Sequence, residues 1–462
     1  MRRALMLAAA MLAAGAGTIV VAERDAAACG GCFAPPENPT VVTDHRMILS
    51  ISKEQSTLYD QIRYTGDPAS FAWVLPVSGT VEVGLSADVV FGALDSLTQT
   101  QIQAPPRNCP PPPDDCFGSP ASAGASPEDN GGVTVTKREV VGPYETVQLK
   151  ATDPQALSNW LAQNNFSVPA DIQPVIAQYV TEKFDFLALK LVPGKGIQDM
   201  RPVRVTTQGA NAVLPLRMVA AGAGANVGIS LWVLGEGRYE PQNFQSFVVR
   251  DDELVWDWNA NKSNYVELRA QKTAAGNGRI WEIESSNILY PQNLGNAIKY
   301  GYFNPNGGPV PTDEESRAQQ DYAPITDANG QVTKTAVQVR DEDLATLFHG
   351  IPTATSRVTR MRADLAYAAL DADLVMTASA DQATLSNFRQ VTRESNQPLC
   401  PVWNGCDSAG QAPRDEAAAR STSSRESFSC STSKGTTPTW LAIGAGFVGL
   451  AFVHAARRRR AR

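Results

Sequence analysis

Phe184-Asp185-Phe186-Leu187-Ala188-Leu189-Lys190-Leu191-Val192 is the stretch of sequence that decides the fold of this chain. Its apolar and aromatic content predicts a β-strand. Further strand candidates follow it, separated by Gly and Pro at the spacing of an antiparallel sheet: residues 203–207, 213–219, 227–234, 244–250 and 279–283. We therefore predict an α+β fold with a β-rich, antiparallel ectodomain and a few helices.

The sequence on either side of this region predicts more strands. Residues 47–51 and 58–64 flank the polar segment Lys53-Glu54-Gln55, which is typical of a hairpin. Residues 71–77 form an apolar run that we expect to be a buried strand, ended by its proline. Towards the C-terminus, the remaining candidates are residues 359–365 and 371–375.

Helices are predicted at a few places around these strands. Ser86 can cap a helix over residues 87–97. Asp153-Pro154 has the pattern of a helix cap followed by proline at the first helical position. The other predicted helices are residues 172–182, 262–275 and 341–349.

Segments of biased composition indicate the domain organisation. Residues 104–132 are rich in Pro, Gly and Ser and predict a solvated insertion. Residues 304–332 are rich in Gly, Pro and acids, and we expect a boundary between two lobes there. Residues 407–438 are rich in Ser, Thr, Ala and charge, which favours a flexible stalk. The ectodomain is therefore expected to span residues 29–406.

The N-terminus has the pattern of a signal peptide over residues 1–28. Met1-Arg2-Arg3 precedes a long apolar run, and Ala26-Ala27-Ala28 supplies the small residues of a cleavage site. Cleavage after Ala28 is the prediction. Cleavage after Ala22, an uncleaved anchor and lipidation at Cys29 are the alternatives.

The C-terminus predicts a membrane anchor. As a helix, the uncharged residues 439–456 span about 27 Å, close to the roughly 30 Å hydrocarbon core of a bilayer. The arginine-rich residues 457–462 favour the cytoplasmic side. We therefore expect an exported protein that is held at the cell envelope or surface by this transmembrane segment. Cys430 and its short polar spacer predict a processing or anchoring site, with a plain single-span anchor as the alternative.

The charge of the exported part excludes one class of partner. Residues 29–438 contain 32 Lys and Arg but 45 Asp and Glu, a net charge near −13. Nucleic acid binding needs a basic surface, so this balance argues against it. It also argues against a polybasic surface that binds lipid headgroups.

The cysteines predict disulfides. Six of the seven fall in three pairs that are close in sequence, and Cys430 stands alone; the six are Cys29, Cys32, Cys109, Cys116, Cys400 and Cys406. In an oxidising compartment such an even set favours disulfide bonds. Six cysteines allow 15 pairings, so the connectivity stays open.

No catalytic constellation is evident in the sequence. Cys29 and Cys32 have the C-x-x-C spacing of thiol oxidoreductases, but Pro35-Pro36 prevents a helix from starting there, so a structural role is favoured. His45 and His349 are the histidines of the ectodomain, and both are expected at the surface. We predict no metal site and no cofactor.

Acidic and aromatic clusters offer weaker candidates. Asp251-Asp252-Glu253 and Asp341-Glu342-Asp343 could contribute oxygens to calcium, but their spacing favours solvated turns. Asp313-Glu314-Glu315 is more simply the first turn of a helix. Trp256, Trp258 and Trp232 could form an aromatic binding face, although core positions are more common. The three tryptophans are therefore weak candidates for a binding face, and residues 251–253 and 341–343 are weak candidates for a calcium site.

Motifs spread in order along the chain resemble a bacterial family known as domain of unknown function 2330. They are residues 29–33, 66–77, 160–161 through 179–180, 186–191, 214–217 and 359–361. The resemblance implies an exported, membrane-linked protein and brings no activity. The tail from Cys430 to Arg462 resembles the myxobacterial (MYXO-CTERM) sorting signals, which implies a sorting protease as a partner.

These observations favour an envelope protein that acts by binding or structural contact and is not an enzyme. A secreted hydrolase with an unrecognised site is the alternative. The membrane is the expected partner of the C-terminal helix.

Overall fold

The computed structural model describes residues 32–33, 41–65, 72–112, 142–150 and 154–426, except 165, 167, 169, 193, 196–198, 301–312, 328 and 406. The chain divides into two compact units. Unit 1 comprises residues up to Pro106 and Pro120–Pro398, and unit 2 comprises Arg107–Ser119 and the residues from Leu399 onward. The predicted lobe boundary at residues 304–332 is therefore wrong, because the sequence around it belongs to unit 1.

The described strands are β1 (Cys32–Phe33), β2 (Val41–Ile51), β3 (Gln55–Thr65), β4 (Ala72–Val77), β5 (Glu82–Leu85), β6 (Gln101–Gln103), β7 (Tyr144–Leu149), β8 (Asp185–Leu191), β9 (Val203–Gln208), β10 (Val213–Leu214), β11 (Asn226–Glu236), β12 (Tyr239–Pro241), β13 (Gln245–Phe247), β14 (Val255–Asp257), β15 (Lys262–Ser263), β16 (Ile280–Ile288), β17 (Ile325–Thr326), β18 (Val332–Lys334), β19 (Ser356–Ala366), β20 (Leu374–Ala378), β21 (Phe388–Gln390), β22 (Arg393–Glu394), β23 (Leu399–Asn404) and β24 (Asp407–Pro413).

The described α-helices are α1 (Asp88–Thr98), α2 (Pro154–Gln163), α3 (Gln173–Thr181), α4 (Leu216–Val219), α5 (Tyr265–Ala275), α6 (Pro291–Tyr300), α7 (Glu314–Ala318), α8 (Ala336–Leu347) and α9 (Arg414–Glu426). Short 3-10 turns lie at Asp251–Glu253 and Tyr367–Ala369. The described part of the chain is thus a strand-rich α+β structure, as predicted.

Unit 1 is built on a sheet of eight strands in the order β13-β16-β19-β11-β2-β3-β9-β5. Most neighbours are antiparallel, but β11 runs parallel to β2 and β13 runs parallel to β16. The sheet is therefore mixed, and the prediction of an antiparallel ectodomain is wrong at these two pairs, as it is at the short parallel pairs β14–β22 and β21–β6 outside this sheet. Strand periodicity reports which residues are buried, not the direction of the neighbouring strand.

Helices cover one face of this central sheet. Ile48 of β2, Trp232 of β11 and Val358 of β19 point to this face and pack in one apolar cluster with α1, α6 and α8. Trp232 is completely buried. Burial of a large side chain of this kind stabilises a fold by about 1.5–3 kcal/mol.

A second sheet and two helices cover the opposite face. Met47, which alternates with Ile48 along β2, packs here with Leu231 of β11. The cluster continues into the sheet β1-β4-β8-β7 through Phe186, and into α2 and α3 through Leu161 and Tyr179. The central sheet is therefore buried on both faces.

Many predicted elements are present with small shifts in their ends. The hairpin of β2 and β3 and the fully buried β4 are confirmed, but Pro76 does not end β4, which continues to Val77. So are the predicted helices that correspond to α2, α3 and α5. The predicted strand at residues 213–219 is correct only at Val213–Leu214, because Pro215 is followed by α4.

Ser86 does not cap α1. The N-cap is Ala87, without a side-chain hydrogen bond, and Ser86 instead donates to Asp343. The local pattern predicted that the Ser86 hydroxyl would cap the helix, but it hydrogen-bonds to a residue that is distant in the chain.

Unit 2 contains the hairpin β23–β24 and helix α9. The disulfide Cys109–Cys400 joins residues 291 positions apart, and Trp403 Nε1 donates to the carbonyl of Pro110 at 2.9 Å. The predicted flexible stalk is wrong for residues 407–426, which form β24 and α9. Ala and charged residues with good helix propensity dominate the start of α9.

The predicted ends of the chain fall outside the described residues. These are the signal peptide at 1–28, the rest of the stalk at 427–438, the transmembrane segment at 439–456 and the basic tail at 457–462. Within the part of the chain that is described, no helix is both long and apolar enough to span a membrane.

Candidate functional site

A buried ionic network lies on the helix-covered face of the central sheet. Arg46 of β2 and Arg360 of β19 both bind the carboxylate of Asp95 on α1. Arg360 also binds Glu284 of β16. The two guanidinium carbons lie 5.3 and 5.0 Å from the ring centroid of Trp232. Two positive and two negative charges thus balance each other and fix α1 to the sheet.

Glu282 of β16 is buried next to this network. Tyr265 Oη donates to its Oε1 at 2.8 Å, and Arg269 Nε lies 3.5 Å from its Oε2. Burial, together with repulsion from Glu284, raises the pKa of Glu282 to about 7. The loss of hydration therefore outweighs the attraction of Arg269. A contact between the sheet and α5 consequently changes its charge near neutral pH.

Asp343 of α8 is a second buried carboxylate. It accepts hydrogen bonds from Ser86 Oγ at 2.6 Å, from Tyr322 Oη at 3.1 Å and from Arg204 Nη1 at 2.8 Å. Burial raises its pKa, while Arg204 and the hydroxyl donors oppose the shift. These three donors come from separate parts of unit 1, so Asp343 joins α8 to the strands beneath it.

The prediction that Asp341-Glu342-Asp343 lies in a solvated turn is wrong. Helix α8 begins at Ala336, behind a capping box between Thr335 and Gln338, so all three acids are helical. Asp343 faces the core, whereas Asp341 and Glu342 are exposed and form ion pairs. All three residues are acidic, so the sequence did not show that the helical period directs Asp343 towards the core.

The other acidic candidates behave as surface residues. Asp252 pairs with Arg250, and Glu253 with Lys272. Asp313 caps α7 by accepting from Ser316 N, which confirms the helix-start prediction. In the described residues, no three His, Cys, Asp or Glu side chains are grouped so that they could hold a metal ion.

The tryptophans do not share a binding face. Trp232 lies in the core between the sheet and its helices, whereas Trp256 packs in a separate small cluster. Trp256 and Trp258 contact each other edge to face, with ring centroids 5.9 Å apart. Trp258 also donates to Glu394 at 2.8 Å.

The two histidines have different environments. His349 is exposed and its Nε2 lies 2.9 Å from Glu54, as expected of a surface residue. His45 is completely buried within β2, so the surface prediction is wrong for it. Its Nδ1 lies 3.5 Å from Oδ1 of Asp60, which is 3% exposed. No sequence pattern pointed to Asp60, because one polar residue in an alternating strand is ordinarily solvated.

Of the predicted disulfide cysteines, the structure brings Cys109 and Cys400 together. Neither is paired with its neighbour in sequence. Cys32 lies in β1, while Cys29, Cys116, Cys406 and the predicted processing site Cys430 fall outside the described residues. The structure therefore settles one connection of the set.

A surface cavity of about 390 Å³ lies where the loop into β13 meets the end of α5. Its lining includes Phe244, Gln245, Asn277 and Arg279. Arg279 stacks on the buried Phe244 ring at 4.7 Å and pairs with Asp371. Within the described chain, the exposed amides of Gln245 and Asn277 have no hydrogen-bond partner. Sequence reasoning missed this cavity because its walls are 30 residues apart.

Fold and site together define a strand-rich α+β protein with a polar surface cavity. The chain belongs to the family described as "uncharacterized protein conserved in bacteria (DUF2330)", which matches residues 23–341. This confirms the resemblance to domain of unknown function 2330. No curated protein and no solved structure matches the chain.

Proposed function

We propose that this protein is exported, is anchored in the cell envelope by its C-terminus, and acts by binding a polar ligand or partner rather than by catalysis. The observation that carries the binding role is the cavity lined by Gln245, Asn277 and Arg279. Its volume lies in the range of ligand sites, and its exposed amides can donate to and accept from a ligand.

The disulfide supports the export. A bond such as Cys109–Cys400 persists in oxidising compartments and is rare in the cytosol. The signal-like residues 1–28 and the apolar residues 439–456 agree with it. Cys430 would then be the point at which a sorting protease or an anchoring reaction acts.

The state of the buried charges favours binding over the hydrolase alternative. Asp343 is paired with Arg204. Asp95 is paired with Arg46 and Arg360. General base catalysis needs a group within reach of the substrate, and His45 has no exposed surface. His349 is accessible, but it and its partner Glu54 both lie exposed at the surface, as an ordinary surface ion pair does.

A pair of neighbouring substitutions tests the binding role. Ala275→Trp fills the cavity from its rim, whereas Ala274→Trp adds the same bulk at an exposed position that does not line it. Tagged protein is recovered from envelope extract and the co-purifying molecules are quantified by mass spectrometry. We expect capture by the wild type and by Ala274→Trp, and loss in Ala275→Trp. Equal capture by both variants would refute the cavity as the binding site.

The hydrolase alternative predicts a different pattern. It requires His349 or His45 for turnover, whereas the binding role predicts that His349→Ala captures the same molecules as the wild type. Loss of function in a folded His349→Ala protein would favour the hydrolase.

Export is tested separately. Cells are fractionated without reductant, and the cross-linked peptide that contains Cys109 and Cys400 is quantified in each fraction. We expect it in the envelope fraction. Recovery of the protein mainly in the cytosol, with both thiols reduced, would overturn the proposed location.

A further inference from the structure

A small, partly open cavity lies between the central sheet and the short helix α4. Six of its lining residues are Met47, Leu58, Asp60, Trp73, Leu214 and Met218. Its volume is about 10 Å³. Such a space accommodates one water or one bare ion.

The donor atoms around this cavity are unusual for an apolar core. Met47 and Met218 contribute thioethers, and both are buried in the apolar cluster between the sheets. Asp60 lies directly opposite Met47 in the β2–β3 register, and it lines the cavity too. Within the described residues, Asp60 Oδ1 is buried and has no hydrogen-bond partner. An unsatisfied buried carboxylate oxygen is costly, so a cation in the cavity would stabilise it.

His45 completes the arrangement. It lies two residues before Met47 on β2, so both side chains are on the same face of the strand. The distance of 3.5 Å from His45 Nδ1 to Asp60 Oδ1 is long for a hydrogen bond. The separation allows the imidazole to bind an ion whose charge the neighbouring carboxylate compensates.

We propose that this cavity is a copper(I) site, with His45, Met47 and Met218 as ligands and Asp60 as the compensating charge. Thioether and imidazole donors suit copper(I), whereas calcium and magnesium require oxygen ligands. Asp60 is the charged residue among those that line the cavity. A monovalent ion makes the buried site neutral, while a divalent ion would leave one positive charge without compensation.

A bound water is the competing occupant. Buried waters make about three hydrogen bonds to otherwise unsatisfied polar groups. The thioethers are weak hydrogen-bond acceptors, so Met47 and Met218 offer water little. The same two sulfurs are good ligands for copper(I), which is why the ion is favoured.

The test uses copper(I) itself, supplied as a complex with a coloured chelator under anaerobic conditions. The protein is oxidised and its free thiols are alkylated, so that cysteines do not compete. We expect the wild type to withdraw one equivalent of copper from the chelator. Met47→Leu and Met218→Leu should each bind at least tenfold more weakly, because leucine keeps the volume but removes the sulfur.

Met361→Leu is the matched control. Met361 is buried in the same apolar cluster but does not line the cavity, so this variant should bind like the wild type. X-ray absorption should show sulfur scatterers around the copper. The proposal is overturned if the wild type withdraws no copper, if the Met47 and Met218 variants bind as tightly as the control, or if only nitrogen and oxygen scatterers are seen.

Discussion

Cys109 and Cys400 are joined by a disulfide although they stand 291 positions apart. The bond holds residues 107–112 against the hairpin β23–β24, where Trp403 also donates to Pro110. Each of these two cysteines has a closer cysteine in sequence, and neither is bonded to it. Unit 2 is therefore assembled from two distant segments.

The first prediction concerns this bond. The double substitution Cys109→Ser with Cys400→Ser should lower the free energy of unfolding of unit 2 by about 2–5 kcal/mol, because a long loop is no longer closed. Urea unfolding followed by hydrogen exchange of the β23–β24 amides is the measurement. Ser408→Ala, at an exposed position of β24, should change stability by less than about 0.5 kcal/mol. A double variant as stable as this control would contradict the prediction.

The second prediction concerns the pH dependence of stability. Glu282 has a pKa of about 7 in the folded protein, above its ordinary value of 4.5. The folded state thus holds this proton more tightly, so its contribution is present below pH 4.5 and is lost as the pH rises through 7. Glu282→Gln should remove on the order of 3 kcal/mol of the stability difference between pH 5 and pH 8. Urea unfolding at both pH values measures it.

The control for Glu282 is Glu267→Gln, at a half-exposed carboxylate on α5. It should retain the wild-type dependence on pH between 5 and 8. An unchanged pH dependence in Glu282→Gln would mean that Glu282 is ionised throughout this range.

The third prediction compares two acids on α8. Asp343→Asn should destabilise the protein by about 3–5 kcal/mol, because Arg204 loses its ion pair with a fully buried carboxylate and keeps only the exposed Glu342 as a charged partner. Asp341→Asn, at an exposed position two residues earlier, should cost less than about 0.5 kcal/mol. Thermal unfolding of the two variants distinguishes them. Equal melting temperatures would show that Asp343 contributes no more than a surface charge.

The fourth prediction compares two glycines with left-handed backbone. Gly278 has φ +65°, and a Cβ there would lie 2.9 Å from the Cβ of Ala366. Gly330 has φ +79° with open space around it. Gly330→Ala should cost about 1 kcal/mol from backbone strain alone. Gly278→Ala should cost about 1–3 kcal/mol more from the steric clash, as measured by urea unfolding.

The fifth prediction concerns the C-terminus. If Cys430 is a processing site, mass spectrometry of the protein from the envelope should find its C-terminal peptide ending at or modified on Cys430. Cys430→Ala should then accumulate a longer form. An intact, unmodified peptide that continues into residues 439–456 would leave the plain anchor as the explanation.

Local patterns predicted the elements best where burial and period agree. β8 and β11 follow their apolar runs closely, and the hairpin of β2 and β3 follows its polar centre. The pattern misled where a distant partner changed the outcome. Ser86 donates to Asp343 instead of capping α1, and His45 is completely buried although a surface position was expected.

The sequence by itself determined the α+β class, most of the strands and the family, because these depend on local period, composition and motif order. Only the tertiary structure decided the rest: the parallel β11–β2 pair, the Cys109–Cys400 bond, and the placement of Asp60 and Met218 around one cavity. Each of these joins residues far apart in the chain. Their contact depends on which faces the folded core buries, and a local pattern carries no information about that.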